Sequence, residues 1–121
     1  MKRLVLFVLL VVVAGQAQTA EKIQTGFITG STLLESCSTP IGDFRSGECL
    51  GYVMAIVELH SSLVDSNLLQ PMTCLPTGET GVTTGQLVLV AKKYLQEHPE
   101  YLHYAAPSLV MNAFTDAFPC K

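Results

Sequence analysis

Four cysteines, Cys37, Cys49, Cys74 and Cys120, constrain this chain more than any other feature. All four lie downstream of a segment with the order of a secretory leader. Met1-Lys2-Arg3 is basic, Leu4 to Ala14 is an unbroken apolar run of eleven residues, and Gly15-Gln16-Ala17-Gln18 is small and polar. That order matches a signal peptide, with Gly15 and Ala17 at the −3 and −1 positions and cleavage after Ala17. As a helix the apolar run spans about 16 Å, against a hydrocarbon core of about 30 Å, so cleavage is expected rather than anchoring. No cysteine follows the run, which argues against a lipoprotein. The expectation is a signal peptide over 1–17, a working domain over 18–121, a periplasmic location and no stable membrane anchor after cleavage. In a small exported domain an even number of cysteines reads as two disulfides.

A domain of this length supports a modest core. Without Lys2 and Arg3, five basic residues face ten acidic ones, a net charge of −5. Phosphate binding draws on clusters of Lys and Arg, and none remains, so nucleic acid is not an expected partner. Electrostatic steering favours a basic partner.

The spacing of apolar residues predicts an all-α fold, a small four-helix bundle-like domain. Gln18 to Thr25 is polar and reads as a loose N-terminal segment. A short first helix has Thr29 or Ser31 as N-cap and Phe27, Gly30, Leu34 and Cys37 on one face. Ser38 to Asp43 is turn-rich. In the second helix Ser46 is the expected N-cap and Glu48 suits the positive end of the dipole. Cys49, Val53, Ile56, Val57, His60, Leu63 and Val64 share a face, widened by Leu50, Met54 and Leu59, which predicts the central helix. Gly51 costs about 1 kcal/mol there relative to Ala, and close approach of a neighbouring helix is the expected compensation. Ser66 to Val82 is a long connection containing Pro71, Pro76, Gly78 and Gly81. Thr83-Thr84-Gly85-Gln86 is a capping box with Val82 and Leu87 at the staple positions. It argues for helix over a strand through Val88, Leu89 and Val90. Leu87, Val90, Ala91, Tyr94 and Leu95 form the third apolar face, and His98-Pro99 ends it. A short turn over 99–104 then leads into a fourth helix from Pro107. Its core stripe is Leu102, Ala106, Leu109, Val110, Ala113, Phe114 and Ala117.

If the helices alternate up and down, Cys37 and Cys49 meet at one end and Cys74 and Cys120 at the other. The Cα separation limit of about 7 Å then favours the pairs Cys37–Cys49 and Cys74–Cys120.

Little in the chain points to chemistry. Cys74 with His98 or His103 is the conceivable nucleophile and base, but a cysteine in a disulfide is no nucleophile. His60 on an apolar face reads as a satisfied core histidine, since no metal-type partner stands at i+4. His98 and His103 lack metal spacing. Glu58 with Asp65, and Glu97 with Glu100, read as solvated surface charge rather than paired catalytic carboxylates. No phosphate-cradling glycine loop or Gly-x-Ser-x-Gly elbow occurs. The expectation is a binding protein without catalytic, metal or cofactor-binding residues, and not an enzyme.

Several segments together carry a resemblance. They are Phe27-Ile28-Thr29-Gly30 with Leu33-Leu34 and Cys37; Cys49-Leu50-Gly51-Tyr52-Val53; Cys74-Leu75-Pro76; Gln86-Leu87 leading to Lys93-Tyr94-Leu95; His98-Pro99-Glu100; and Ala113-Phe114 to Phe118-Pro119-Cys120. In this order they resemble the Rap/Tai family of type VI secretion immunity proteins. The resemblance implies a periplasmic all-helical protein that binds a cognate peptidoglycan amidase effector and plugs its active-site cleft. It also implies a homodimer as one state of the chain. Toxin-contacting residues differ from toxin to toxin, so none transfers by motif. Glu58 stands where the resemblance leads one to expect an aspartate.

The residues themselves nominate the long connection as the contact region. Gln70, Pro71, Met72, Thr77, Gly78, Glu79 and Thr80 are the partner-binding candidates, because long loops in compact domains are often functional. Ser38 to Arg45 is a second candidate. The competing function is a small periplasmic disulfide-bonded stress chaperone that exposes apolar surface on acidification. A cell-envelope enzyme ranks last.

Overall fold

The computed structural model describes residues 28–121. The expected leader over 1–17, the segment Gln18 to Thr25 and Phe27 lie outside the described residues. Four helices follow in order: α1 (Gly30–Cys37), α2 (Phe44–Asp65), α3 (Thr84–Glu97) and α4 (Ala106–Ala117). Short 3₁₀ turns stand at Gly78–Thr80 and Pro99–Tyr101. The described residues hold no strand, only an isolated antiparallel bridge between Thr29 and Ala105.

Local chemistry accounts for the helix ends. Thr29 caps α1 by accepting from the Thr32 N–H. The predicted capping box starts α3: the Thr83 hydroxyl accepts from the Gln86 N–H, and the Gln86 amide oxygen accepts from the Thr83 N–H. His98 ends α3 in a non-helical conformation before Pro99, as the clash between proline and its predecessor requires. Pro107 stands in the first turn of α4, where its missing N–H costs nothing. The start of α2 differs from the expectation. Asp43 is its N-cap, accepting from the Arg45 N–H, and Ser46 instead donates its hydroxyl to the Asp43 carbonyl at 2.7 Å. Glu48 therefore lies in the second turn, where it accepts from the buried Ser36 hydroxyl at 3.0 Å.

The core centres on α4 rather than α2. Ala106, Leu109, Val110, Ala113 and Phe114 of α4 are buried, with Leu87, Ala91 and Leu95 from α3. Leu33 of α1 is fully buried, so the short helix turns Leu33 inward and leaves Leu34 half-buried. From α2 only Cys49 and Val53 are buried; Ile56, Val57, His60, Leu63 and Val64 are half-buried. Length explains the difference. The 22 residues of α2 extend about 33 Å, against about 18 Å for the 12 of α4. The last turns of α2 have no equally long partner to cover them, and Leu59 is 61% exposed. Ala117, expected on the core stripe of α4, is also exposed.

Helix α1 breaks strict up-and-down alternation. Its first residues join the α3–α4 connection: Gly30 N–H donates to the Tyr104 carbonyl, Ser31 N–H to that of Leu102, and Ala106 N–H to that of Ile28. Alternation would put that start beside the end of α4. A Cβ on Gly30 would come within 2.5 Å of the Leu109 side chain and 3.1 Å of the Leu102 Cα, so this glycine permits the close crossing. Gly51, expected to do so, is exposed with nothing near its missing Cβ.

Both disulfides pair as expected, Cys37 with Cys49 (Cα separation 5.0 Å) and Cys74 with Cys120 (4.9 Å). The first bridge is buried and locks α1 to α2. The second joins two exposed residues and fastens the α2–α3 connection to the end of α4.

Candidate functional site

The connection from α2 to α3 is fixed almost along its length. Asn67 adopts a left-handed conformation (φ 56°) that reverses the chain, and the N–H groups of Leu68 and Leu69 both return to the Leu63 carbonyl. His60 Nε2 accepts from the Met72 N–H at 3.2 Å. His60 is half-buried rather than in the core, and it is satisfied by clamping this loop. Buried Thr73 places its hydroxyl 2.9 Å from the Phe114 carbonyl and 3.1 Å from that of Phe118. The Cys74 N–H donates to the same Phe118 carbonyl at 2.9 Å. The Phe118 carbonyl, just past the end of α4, thus gains partners from this loop, while the Phe114 carbonyl, which already accepts from the Phe118 N–H at 2.8 Å, shares the single Thr73 hydroxyl proton.

Beyond Leu75, which packs on the core, the chain closes a small loop on itself. The Val82 N–H donates to the Pro76 carbonyl at 3.1 Å, and the Gly81 N–H to that of Gly78 at 2.9 Å. Two glycines make this possible. Gly78 has φ +82°, and a Cβ on Gly81 would meet backbone atoms of residues 76–78 at 2.9–3.3 Å. Such backbone atoms cannot move aside, so a side chain at position 81 would not fit this closed turn.

All seven candidate residues are exposed. The structure divides them into two patches along the chain, separated by buried Thr73 and tethered Cys74. Gln70, Pro71 and Met72 follow the end of α2, while Thr77, Gly78, Glu79 and Thr80 form the tip before α3. Two grooves flank the tip and share Pro76, Gly81 and Val82 as a common wall. One, of about 550 Å³, takes its apolar lining from Met54, Val57, Leu75 and Leu87. The other, of about 340 Å³, is lined by Gln86, Leu89, Val90 and Phe118. Sequence reasoning assigned Val57, Leu87 and Val90 to the core and so missed the grooves. Leu89, off the stripe of α3 and 64% exposed, was the available signal. The second candidate loop also shows apolar side chains, with Ile41 fully exposed and Phe44 88% exposed beside the Glu35–Arg45 ion pair.

The remaining titratable residues are scattered. Glu58 and Asp65 are exposed, Glu97 pairs with Lys93 at 3.8 Å, and Cys74 is held in its disulfide. His98 lies between Tyr94 and Tyr101, with ring centroids 4.3 and 5.5 Å away, and its Nδ1 is 3.1 Å from Glu100. Hydrogen bonding to its own backbone N–H, and then to His98, holds the Glu100 carboxyl below the usual glutamate range. Burial pushes the Tyr52 phenol up. Among the described residues no group of His, Cys, Asp or Glu is placed to hold a metal ion.

The profile of one family, the Rap1a immunity proteins, matches residues 29–120. The chain belongs to that family. The match runs from the Thr29 N-cap to the cysteine that closes the second bridge, so it takes in all four helices and both disulfides of this Rap1a-family chain. Membership supports an immunity role and implies a cognate toxin as partner. Among curated proteins and among solved structures, nothing matches the chain.

Proposed function

We propose that this protein is a non-enzymatic periplasmic immunity protein that inhibits a type VI secretion peptidoglycan amidase by inserting the 76–82 tip into its active-site cleft. The family match carries the immunity part of this reading. The tip supports the rest: it is exposed, closed on itself and anchored through Thr73 and Cys74 to α4. A loop already closed by its own backbone hydrogen bonds has less conformational freedom to lose on docking than an open one. Residues 1–17 serve as the export signal and 18–121 as the working domain, consistent with disulfides that persist in an oxidising compartment.

The test is protection. A type VI peptidoglycan amidase effector from the same genome is directed to the periplasm of a sensitive host, with and without this protein. Rescue of growth, with loss of amide-bond cleavage in cell-wall sacculi by the purified pair, is the expected result. Lysis at equal protein levels would defeat the proposal, and acid-triggered capture of many unfolded clients would favour the chaperone.

A further inference from the structure

We propose that Glu79 is the anchor of the inhibitory tip, placing its carboxylate where the toxin's cleft binds a carboxylate of the cell-wall peptide, while the two flanking grooves receive apolar side chains from the cleft's rims. This rests on the immunity reading above. Glu79 is the single charged residue between Ser66 and Val82. It is exposed, and none of the ion pairs among the described residues involves it. It stands in the 3₁₀ turn of a tip closed by the Val82–Pro76 and Gly81–Gly78 backbone hydrogen bonds, in a turn that Gly78 and Gly81 permit.

The surroundings define the partner's chemistry. Glu79 itself lines the larger groove, whose apolar wall includes Met54, Val57 and Leu87; across the ridge of Pro76, Gly81 and Val82 lies the smaller groove, walled by Leu89, Val90 and Phe118. A cleft that closes over this ridge removes water from the carboxylate. A desolvated carboxylate is tolerated only where cationic or N–H donors meet it. The partner must therefore be a cleft with a carboxylate-binding centre and apolar rims. An amidase that cuts cell-wall stem peptides has reason to carry such a centre, because those peptides bear free carboxylates. The net charge of −5 over 18–121 steers the whole domain towards a basic surface. The seat thus copies the substrate's charge, while the grooves supply contact area that a small peptide lacks.

The test uses the oxidised protein and the same amidase with its nucleophile replaced by alanine, titrated calorimetrically at two salt concentrations. Glu79→Gln, an exposed and nearly isosteric change, is expected to weaken binding at least tenfold and to flatten the salt dependence. Leu89→Asp is expected to weaken it at least tenfold, and Gln96→Asp, outside both grooves, less than twofold. A soluble stem tetrapeptide is expected to compete with the wild-type protein. Tight wild-type binding with Glu79→Gln within twofold, or with no competition by the tetrapeptide, would overturn the anchor and leave the immunity reading standing. No binding by the wild type would remove the immunity reading, and the anchor with it.

Discussion

Removing the Cys74–Cys120 bridge should destabilise the domain more than its exposed position suggests. Both sulfurs are at the surface, so replacing them with alanine leaves no cavity in the core. The loop also keeps its native contacts through the Thr73 hydroxyl and the Cys74 N–H. The effect must then arise in the unfolded chain, where the bridge closes a loop of sequence separation 46. The chain-entropy relation gives about 4 kcal/mol for that length, and about 2.8 kcal/mol for the separation of 12 closed by Cys37–Cys49. For a domain of this size 4 kcal/mol corresponds to a drop in Tm of roughly 16–32 °C. Urea melts of the oxidised wild type, Cys74→Ala, Cys120→Ala and the double variant measure it. Each single variant already breaks the bond, so the double variant should lose little more than either one. The urea slope should rise, because the unlinked unfolded chain exposes more surface. A loss under about 1 kcal/mol, or single effects that add, would refute the argument from unfolded-state entropy.

Three further outcomes are expected. Gly51→Ala should stabilise the domain by about 0.5–1 kcal/mol, since Gly51 is exposed in a helix with free space around it; a destabilised variant in thermal melts would reveal a contact there. Thr73→Val should cost about 1–2 kcal/mol through loss of the buried hydroxyl bond to Phe114 and Phe118, and should speed hydrogen exchange at Cys74; unchanged exchange and stability would assign the pinning to the disulfide alone. Glu100 has its carboxyl held low in the folded state by its own N–H and by His98. Its contribution to stability is therefore present above the unfolded-state pKa and disappears as pH falls through the folded-state value. A carboxyl carbon NMR titration should place its midpoint below that of the urea-unfolded chain, with His98→Ala recovering part of the difference; coincident midpoints would contradict the geometry.

Short-range chemistry determined what could be read directly from the residues. The Thr83–Gln86 box and the His98-Pro99 stop each depend on groups within a few positions, so the sequence alone places the ends they define, whereas at the start of α1 it offered both Thr29 and Ser31 and the fold selected Thr29. The cysteine pairing was also legible, although part of the path assumed for it was not followed. Cys37 and Cys49 need only a short connection, and Cys74 and Cys120 both adjoin the end of α4 whichever way α1 runs. Tertiary structure alone decided which apolar faces became core. Periodicity marks a face as apolar but does not say whether another helix is long enough to cover it, so α2 reads as central and yet overhangs α4. The same limit separates Gly51 from Gly30: both are helical glycines, and only the crossing of α1 over Leu102 and Leu109 gives one of them a role. The candidate residues of the long connection are visible in sequence as polar, Pro- and Gly-containing chain. Their division into two patches, and the grooves beside Glu79, arise because Thr73 and Cys74 bind the end of α4, more than forty residues away in the chain.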